Sequence, residues 1–307
     1  MPWSEEEIPD QSGRVVVVTG ANTGIGFETA RALTERGAHV VLACRSEERG
    51  SAAVARIEAL RPSGTCALEQ VDLADLESVS AFAERMREGH THIDVLVNNA
   101  GVMFPPRSFT REGFELQFGI NHLGHFALTG CLLPLLLTRP GARVVNVSSI
   151  AHRNGRIDFG NLRGERRYVP FREYGQSKLA NLLFTFELNR RLEAAGLGLI
   201  AVAAHPGVAN TDLTRHNGFI EVLANRFAMS SPQGALPLML AATGADLDRG
   251  DYIGPNGFME AWGYPGPAKI RRRGRNPTVA SRLWEVSEEA TGVAYVWADQ
   301  PEGATEE

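Results

Sequence analysis

The run Val15–Gly26, which reads VVVVTGANTGIG, decides the fold. Its apolar β-branched half is typical of a strand buried on both faces, and a helix-like pattern, Ile25–Arg36, follows directly. A glycine-rich turn between such a strand and a helix is a ready site for a pyrophosphate, because backbone N–H groups at the helix N-terminus point at the anion. We expect Gly20 to allow the tight turn, Gly24 to let the backbone approach the phosphates and Gly26 to let the helix pack closely.

The glycine spacing narrows the choice of nucleotide. The pattern is Gly-x-x-x-Gly-x-Gly rather than the commoner Gly-x-Gly-x-x-Gly. Taken alone, this motif is also compatible with a glycine-rich turn that binds no ligand. It contains no Gly-Lys-Ser/Thr, which disfavours an ATPase. Its place between a buried strand and a helix favours a dinucleotide.

Strand-like and helix-like patterns alternate along the first two-thirds of the chain. This alternation predicts βαβ units, and therefore a doubly wound parallel α/β sheet (Rossmann fold) of about seven strands with helices on both faces. We predict a single domain, 1–307, with 207–240 as a helical insert on the substrate side. The predicted strands are Val15–Val18, Val40–Cys44, Ala67–Val71, Ile93–Val97, Val144–Val147, Leu199–Ala203 and Asp251–Gly254. The predicted helices are Ile25–Arg36, Glu47–Leu60, Leu76–Glu88, Gly113–Leu137, Glu173–Ala195, Gly218–Met229, Pro232–Thr243 and Arg282–Ala290. The segment Ala261–Arg275 is predicted to be a loop whose basic cluster, Lys269 to Arg275, either is solvated or contacts an anionic partner.

The composition is that of an ordinary folded protein. Of the 307 residues 43% are hydrophobic, and 31 Lys and Arg stand against 36 Asp and Glu, a net charge of −5, which argues against disorder and against a nucleic-acid partner. The acidic start, Met1–Asp10, has no apolar stretch, and the longest central apolar run, Cys131–Leu137, is interrupted by Pro134; we expect no secretion signal and no membrane span. Three dispersed cysteines favour a cytoplasmic protein, and the histidines lack metal-ligand spacing, so we expect no metal.

The end of the second predicted strand bears on which cofactor binds. An NAD site would carry an acidic residue here to hydrogen-bond the ribose 2′-hydroxyl, whereas this chain has Cys44 and then Arg45. A guanidinium pairs with a 2′-phosphate, so we predict NADP(H) over NAD(H), the alternative being that Arg45 is only a surface residue. Asp72, after the third strand, either bonds the adenine amine or caps the following helix.

A tyrosine and a lysine one helical turn apart, Tyr174 and Lys178, can carry carbonyl chemistry. Tyrosine can give a carbonyl oxygen its proton, but its free pKa is about 10. A cation at i+4 faces it and favours the phenolate, so we expect the pKa of Tyr174 to move toward the working pH. A serine hydroxyl near the carbonyl oxygen would then stabilise developing negative charge.

Taken together, these motifs resemble the short-chain dehydrogenase/reductase family. The resemblance rests on the glycine turn, Asn98–Gly101 (NNAG), Asn121, Ser148-Ser149, the Tyr174–Lys178 pair and Pro206-Gly207-Val208, in the family's order over 14–212. It implies Asn121, Ser149, Tyr174 and Lys178 as catalytic residues, with Ser149 rather than Ser148 facing the carbonyl and Asn121 holding a water that links Lys178 to solvent. It implies a cofactor site formed by Gly20, Asn22, Thr23, Gly24, Ile25, Gly26, Arg45, Asp72, Leu73, Asn99, Ala100, Gly101, Tyr174, Lys178, Pro206, Gly207, Val208 and Thr211.

Finer features resemble the branch of retinol dehydrogenases and WW-domain oxidoreductases. They include the 24 residues between Ser149 and Tyr174 and the late segment 283–289, LWEVSEE. Membrane-bound members carry an N-terminal apolar anchor, whereas Met1–Asp10 is acidic, so we expect a soluble relative in which membership of the branch does not fix the substrate. Phe104, Phe171, Phe219, Phe227 and Met229 would line an apolar pocket for a lipophilic aldehyde, ketone or alcohol, or are ordinary core.

Two rival functions stay open. The same fold could serve as a non-catalytic NADP(H) sensor, although a sensor has no need of Asn121, Ser149, Tyr174 and Lys178 together. A hydrolase using Ser149 or Ser177 is disfavoured, because no Gly-x-Ser-x-Gly elbow accompanies either serine. Long helices such as 113–137 and 173–195 form dimer or tetramer faces in the family, which leaves a homodimer or homotetramer open.

Overall fold

A computed structural model describes residues 2–208 and 229–297, which form one eight-stranded sheet with helices on both faces. The strand order is β3-β2-β1-β4-β5-β6-β7-β8; all neighbours are parallel except β7 and β8. The strands are β1 Val15–Thr19, β2 His39–Cys44, β3 Thr65–Gln70, β4 Val95–Asn98, β5 Arg143–Val147, β6 Ile200–Ala204, β7 Tyr252–Pro255 and β8 Pro265–Pro267. The chain order reverses between β1 and β4, the place where ligands bind in open sheets of this kind.

Helices cover both faces of the sheet. They are α1 Gly24–Glu35, α2 Glu47–Glu58, α3 Leu76–Gly89, α4 His125–Leu136, α5 Pro170–Ala194, α6 Ser231–Thr243 and α7 Pro277–Thr291. Alternate side chains of β1 lie on opposite faces of the sheet. Val17 packs with α3, α4 and α5 on one face, and Val16 and Val18 pack with α1, α2 and α6 on the other. The predicted doubly wound parallel fold is confirmed, since both faces of the sheet are buried.

Two predicted elements were wrong in detail. The single helix expected over 113–137 is interrupted: a short helical turn, Leu116–Phe118, leads into a π-helix, Gly119–Gly124, and only then does α4 begin. The side chain of Glu115 accepts the backbone N–H groups of Gln117 and Phe118 and so starts the structure after position 113. In the segment 261–275, predicted to be loop throughout, β8 adds an eighth, antiparallel edge strand whose flanking prolines suit an edge position.

The other helices begin or end within a few residues of their predicted positions. Helix α7 begins at Pro277 rather than at 282, because the side chain of Asn276 caps it by accepting the N–H of Val279. Helix α6 matches the prediction over 232–243, whereas the helix expected over 218–229 lies almost wholly outside the described residues. Among the helices that are described, none combines the length and apolar character needed to cross a membrane. The cysteines are free, and the cytoplasmic location and homo-oligomer stay predictions.

Candidate active site

The glycine turn is fastened to the start of the NNAG segment. The hydroxyl of Thr19 accepts the backbone N–H groups of Asn99 and Ala100, both at 2.9 Å, and the Asn99 side chain donates to the Thr19 carbonyl at 2.7 Å. A Cβ on Gly26 would lie 2.4 Å from Asn99 Nδ2 and 2.6 Å from the Gly20 carbonyl, so only glycine fits. The turn and the end of β4 are therefore held at one fixed separation.

An open cavity of about 470 Å³ lies over this edge of the sheet. It fits an adenine dinucleotide at its phosphate part, because α1 begins at Gly24 without a side-chain cap from Thr23, leaving its first N–H groups available to an anion. The predicted cofactor residues that line it are Gly20, Asn22, Thr23, Gly24, Ile25, Gly26, Arg45, Asp72, Leu73, Asn99, Ala100 and Gly101. Lining residues that the sequence did not assign to the cofactor are Ala43, Arg49, Val71, Val102, Met103 and Ile120.

Two exposed arginines stand at the β2 end of the cavity. Arg45 follows β2 directly, and Arg49 lies one helical turn further on in α2, whose first turn is capped by Ser46. Within the described ranges neither guanidinium has a hydrogen-bond or ion-pair partner, and no acidic side chain replaces the missing ribose-binding carboxylate at 44 or 45. The spacing Arg45–Arg49, i to i+4, was the sequence signal that could have identified the second cation.

Asp72 is not the cap of the next helix. Asp75 caps α3 by accepting the N–H groups of Glu77 and Ser78, whereas the Asp72 carboxylate accepts the N–H of Ala74 at 2.9 Å and lines the cavity. The capping alternative is therefore wrong, and contact with adenine stays a prediction.

Ser149, Tyr174 and Lys178 converge at the end of β5. Ser149 caps the 3₁₀ turn Ile150–Asn154, and its hydroxyl lies near enough to the Tyr174 hydroxyl to oppose the rise in the pKa of that phenol. Tyr174 and Lys178 share one face of α5, with Lys178 Nζ 5.7 Å from the centre of the Tyr174 ring. Ser148 points away and donates to the Lys178 carbonyl at 2.8 Å, as the alternation of side chains in an extended segment predicts.

Burial, rather than charge, dominates the pKa values at this point. It raises the pKa of the Tyr174 hydroxyl to about 12, against the opposing influence of the nearby Ser149 hydroxyl, and lowers the pKa of the Lys178 amine to about 8. The prediction that Lys178 lowers the pKa of Tyr174 is wrong for the protein without a cofactor, because burial removes water from both groups and its effect on the tyrosine is larger. Tyr174 is therefore held protonated, and Lys178 titrates close to neutral pH.

Asn121 ties the segment after the NNAG motif to α5. Its amide donates to the Val102 carbonyl and to the Ser177 hydroxyl, both at 3.0 Å, and its carbonyl oxygen accepts the Val102 N–H at 2.8 Å. A Cβ built on Gly101 would lie 3.1 Å from Asn121 Oδ1 and 3.6 Å from Lys178 Nζ, so Gly101 allows the three elements to meet. The structure thus brings Asn121 and Lys178 to one point, while the water relay stays a prediction.

The segment after β6 takes the left-handed backbone that favours glycine. Gly207 has φ +70°, and the Val208 N–H donates to the Ala261 carbonyl at 2.9 Å. Thr211, Phe219 and Phe227, which the sequence placed at this end of the site, lie outside the described residues.

Aromatic side chains form a wall beside Tyr174. The Phe104 ring lies 5.5 Å from the Tyr174 ring and 5.9 Å from the ring of Phe171, which is half exposed. Met229 is buried near Gly207. Phe104 and Phe171 thus lie at the site as predicted.

A nucleotide cleft at the switch point of a parallel sheet, with a serine, a tyrosine and a lysine beside it, defines a Rossmann-type oxidoreductase. The chain belongs to the short-chain dehydrogenase/reductase family, since the short chain dehydrogenase model matches residues 14–218. It is 45% identical to retinol dehydrogenase 12 of Mus musculus over 92% of this chain and 88% of that protein, which confirms the retinol dehydrogenase-like branch.

Solved structures agree with this assignment. An uncharacterized protein from Mycobacterium paratuberculosis is 41% identical, with a TM-score of 0.82 over 96% of this chain and 100% of that one. The RhlG/NADP active-site complex of Pseudomonas aeruginosa is 26% identical, with a TM-score of 0.61 over 78% of this chain and 94% of that one. The chain is thus an oxidoreductase of a family that acts on CH–OH groups with a nicotinamide cofactor.

Proposed function

We propose that this protein is an NADP(H)-dependent oxidoreductase that interconverts a lipophilic aldehyde or ketone with its alcohol. The observation that carries the proposal is the convergence of Ser149, Tyr174 and Lys178 beside the dinucleotide cleft. When bound, the nicotinamide supplies the hydride to the carbonyl carbon or accepts it from the alcohol carbon. The protein has to hold the substrate oxygen and move one proton.

Each side chain has a part in that proton movement. In reduction, the Tyr174 hydroxyl donates its proton to the carbonyl oxygen, and the Ser149 hydroxyl donates a hydrogen bond to the same oxygen as negative charge develops. The Lys178 ammonium lies near the ring of Tyr174 and stabilises the phenolate that remains. Asn121 keeps Val102 and α5 in place around them.

The preference for NADP(H) is supported by Arg45 together with Arg49. Two cations without partners among the described residues, at the cavity end where the ribose of the adenosine half would lie, suit a 2′-phosphate. The NADP complex of the Pseudomonas aeruginosa relative agrees with this choice.

The lipophilic substrate class is supported by the aromatic wall of Phe104 and Phe171 beside Tyr174. Such a wall binds apolar groups and offers few hydrogen bonds to a sugar or hydroxy acid. A relative named for retinol, itself an apolar alcohol, agrees with it.

The first experiment measures oxidation of NADPH, and separately of NADH, over a panel of lipophilic aldehydes and ketones. We expect turnover with NADPH and a loss of about 10²- to 10⁴-fold in kcat for Tyr174→Phe, which keeps the ring and removes the proton donor. The matched control is Tyr264→Phe, at an exposed tyrosine, which should leave kcat unchanged.

The same assay tests the cofactor. Arg45→Ala and Arg49→Ala should each weaken NADPH about tenfold or more, since each loses a charge-assisted bond, and leave NADH nearly unchanged. Tight NADPH binding with no turnover over the whole panel would contradict the enzyme and favour the sensor. Equal use of NADH and NADPH would contradict the arginine assignment alone.

A further inference from the structure

A second buried polar cluster, outside the proposed catalytic residues, lies against the far end of the site. Its centre is Glu260, in the 3₁₀ turn Phe258–Glu260 between β7 and β8, with 8% of its surface exposed. One carboxylate oxygen lies 2.5 Å from Arg153 Nη2 and 3.3 Å from His205 Nε2, and the other accepts the Lys269 N–H at 3.1 Å. The carboxylate is thus ion-paired with Arg153 and hydrogen-bonded by the Lys269 N–H, and the His205 ring lies beside it without hydrogen-bond geometry.

The backbone at Glu260 is strained. Met259 and Glu260 have φ values of +54° and +60°, a left-handed conformation that L-residues other than asparagine and aspartate seldom adopt. Such a conformation persists only where the surroundings over-determine it. Here the carboxylate contacts hold it, and Arg153 also donates to the Met259 carbonyl at 3.4 Å.

Contacts on one side of the cluster hold the backbone of the segment after β6. The Gly207 N–H donates to His205 Nδ1 at 3.2 Å, so the proton of the neutral imidazole sits on Nε2, which faces Glu260. The next N–H, of Val208, donates to the carbonyl of Ala261, the residue after Glu260. Both backbone groups therefore depend on the position of the Glu260 turn.

Contacts on the other side of the cluster connect Glu260 to the turn that Ser149 caps. Arg153 belongs to the 3₁₀ turn that Ser149 caps, and the neighbouring His152 bonds the Ser149 carbonyl through Nδ1 at 2.6 Å. The Glu260 carboxylate thus joins the Ser149 turn to Gly207 and Val208, which the family resemblance assigns to cofactor binding.

We propose that Glu260 is a positioning residue, which sets the backbone of Gly207 and Val208 for the nicotinamide half of the cofactor and aligns it with Ser149. The inference rests on the proposed function, because it assumes that a nicotinamide cofactor occupies the cleft. A glutamine at 260 replaces one carboxylate oxygen by an NH2 group, so either the Arg153 guanidinium or the Lys269 N–H then faces a donor instead of an acceptor.

The test compares binding of the whole cofactor with binding of its adenosine half. Dissociation constants are measured for the cofactor that the wild type prefers and for the half that lacks nicotinamide: NADPH with adenosine 2′,5′-bisphosphate, or NADH with ADP. For Glu260→Gln we expect about tenfold weaker binding of the whole cofactor and under about twofold change for the half, together with a lower kcat.

The matched control is Glu187→Gln. Glu187 is likewise buried and paired with two arginines, Arg190 and Arg191, but lies in the second half of α5. It should lower the melting temperature and leave both dissociation constants unchanged. If Glu260→Gln does not fold, Arg153→Gln keeps the carboxylate with His205 and should show the same selective loss at smaller size.

Three results would overturn the inference. One is Glu260→Gln behaving like the Glu187 control, with a lower melting temperature and unchanged binding. Another is equal weakening of cofactor and adenosine half, which would mean general loosening of the cleft. The third is a wild-type protein that binds no nicotinamide cofactor, which would remove the proposed function as well.

Discussion

Lys178 is an amine kept in the interior where its charge is costly. It is almost wholly buried, and desolvation lowers the pKa of its ammonium to about 8. A core lysine is tolerated where the charge has a use, and the neighbouring Tyr174, with a pKa raised to about 12 by burial, offers one. Activity and stability should therefore respond to Lys178 in opposite directions.

The activity of the wild type should report the lysine titration. In carbonyl reduction Tyr174 has to be protonated, which it is at every working pH, and Lys178 has to be charged, which it is below its folded pKa of about 8. We expect kcat/KM at saturating NADPH to be flat below that pKa and to fall about tenfold per pH unit above it. The measurement is a pH profile from about pH 6 to pH 10, and activity that stays flat to the alkaline end would contradict the role of the charge.

Stability should rise when the amine is removed. Lys178 Nζ donates to the Val147 carbonyl, but Asn181 Nδ2 donates to the same oxygen at 3.0 Å, so Lys178→Met leaves no acceptor unpaired. The folded pKa lies below the ordinary 10.5, so the folded state is penalised at neutral pH and the penalty fades as pH rises from about 8.

We expect Lys178→Met to raise the free energy of unfolding at pH 7 by roughly 1 to 3 kcal/mol and to abolish turnover. Denaturant unfolding at pH 7 and at about pH 10 checks it. The gain should shrink at the higher pH, and a variant less stable than wild type at pH 7 would refute the expectation.

At this scale the sequence identified most of the site. Tyr174, Lys178, Ser149 and Asn121 meet as their motifs indicate, because spacing on a helix and alternation beyond a strand determine direction. The direction of the tyrosine pKa could not be read in this way, since it depends on burial by the folded chain. Glu260 also escaped notice, because nothing in its local sequence signals the contacts of its carboxylate.

At the scale of elements, the π-helix Gly119–Gly124 is the piece that brings Asn121 inward. Sequence periodicity predicted an unbroken helix through it, since one extra residue in a turn hardly changes an apolar pattern. Its two terminal glycines are close-contact positions: a Cβ on Gly119 would meet Thr110, and one on Gly124 would lie 2.5 Å from the Leu73 carbonyl. Leu73 lines the cofactor cleft, so the π-helix and the cleft are in direct contact.

Gly124→Ala should therefore damage both stability and cofactor binding. The new methyl group meets rigid backbone at Leu73, and we expect a loss of roughly 1 to 3 kcal/mol in unfolding free energy with severalfold weaker NADPH binding. The matched change is Gly89→Ala in the last turn of α3, where no atom lies within 4 Å of a Cβ. That control should be neutral or gain up to about 1 kcal/mol in helix propensity. If both variants bind NADPH like wild type, the contact with Leu73 has no bearing on the cleft.

Across the whole molecule, the seven parallel strands were predictable, including the edge strand β3, and the antiparallel edge strand β8 was not. Runs such as Val15–Val18 lie in strands that are buried on both faces, and their apolar β-branched residues predict a strand without reference to the rest of the chain. The edge strand β8 is only three residues long and includes two prolines, and its pairing with β7 rather than any property of its own makes it a strand. The segment past α7 was likewise silent in sequence, yet its aromatic residues join the core.

The proposed single domain implies that this last segment supports the entire fold. Tyr295 is buried against Phe126 and Trp284, with ring centres 4.9 and 4.5 Å away, and its hydroxyl donates to the Phe126 carbonyl at 2.7 Å. Tyr295→Ala should lower the free energy of unfolding by about 3 to 5 kcal/mol, and so lower the melting temperature by about 5 °C or more, whereas Val296→Ala, at a neighbour 80% exposed, should not.

Far-UV circular dichroism and tryptophan fluorescence should follow one shared transition, because Phe126 belongs to α4, which packs against the sheet. Two separated transitions, or a fluorescence change with no loss of melting temperature, would mean that the C-terminal segment frays alone and that the chain is not one cooperative unit.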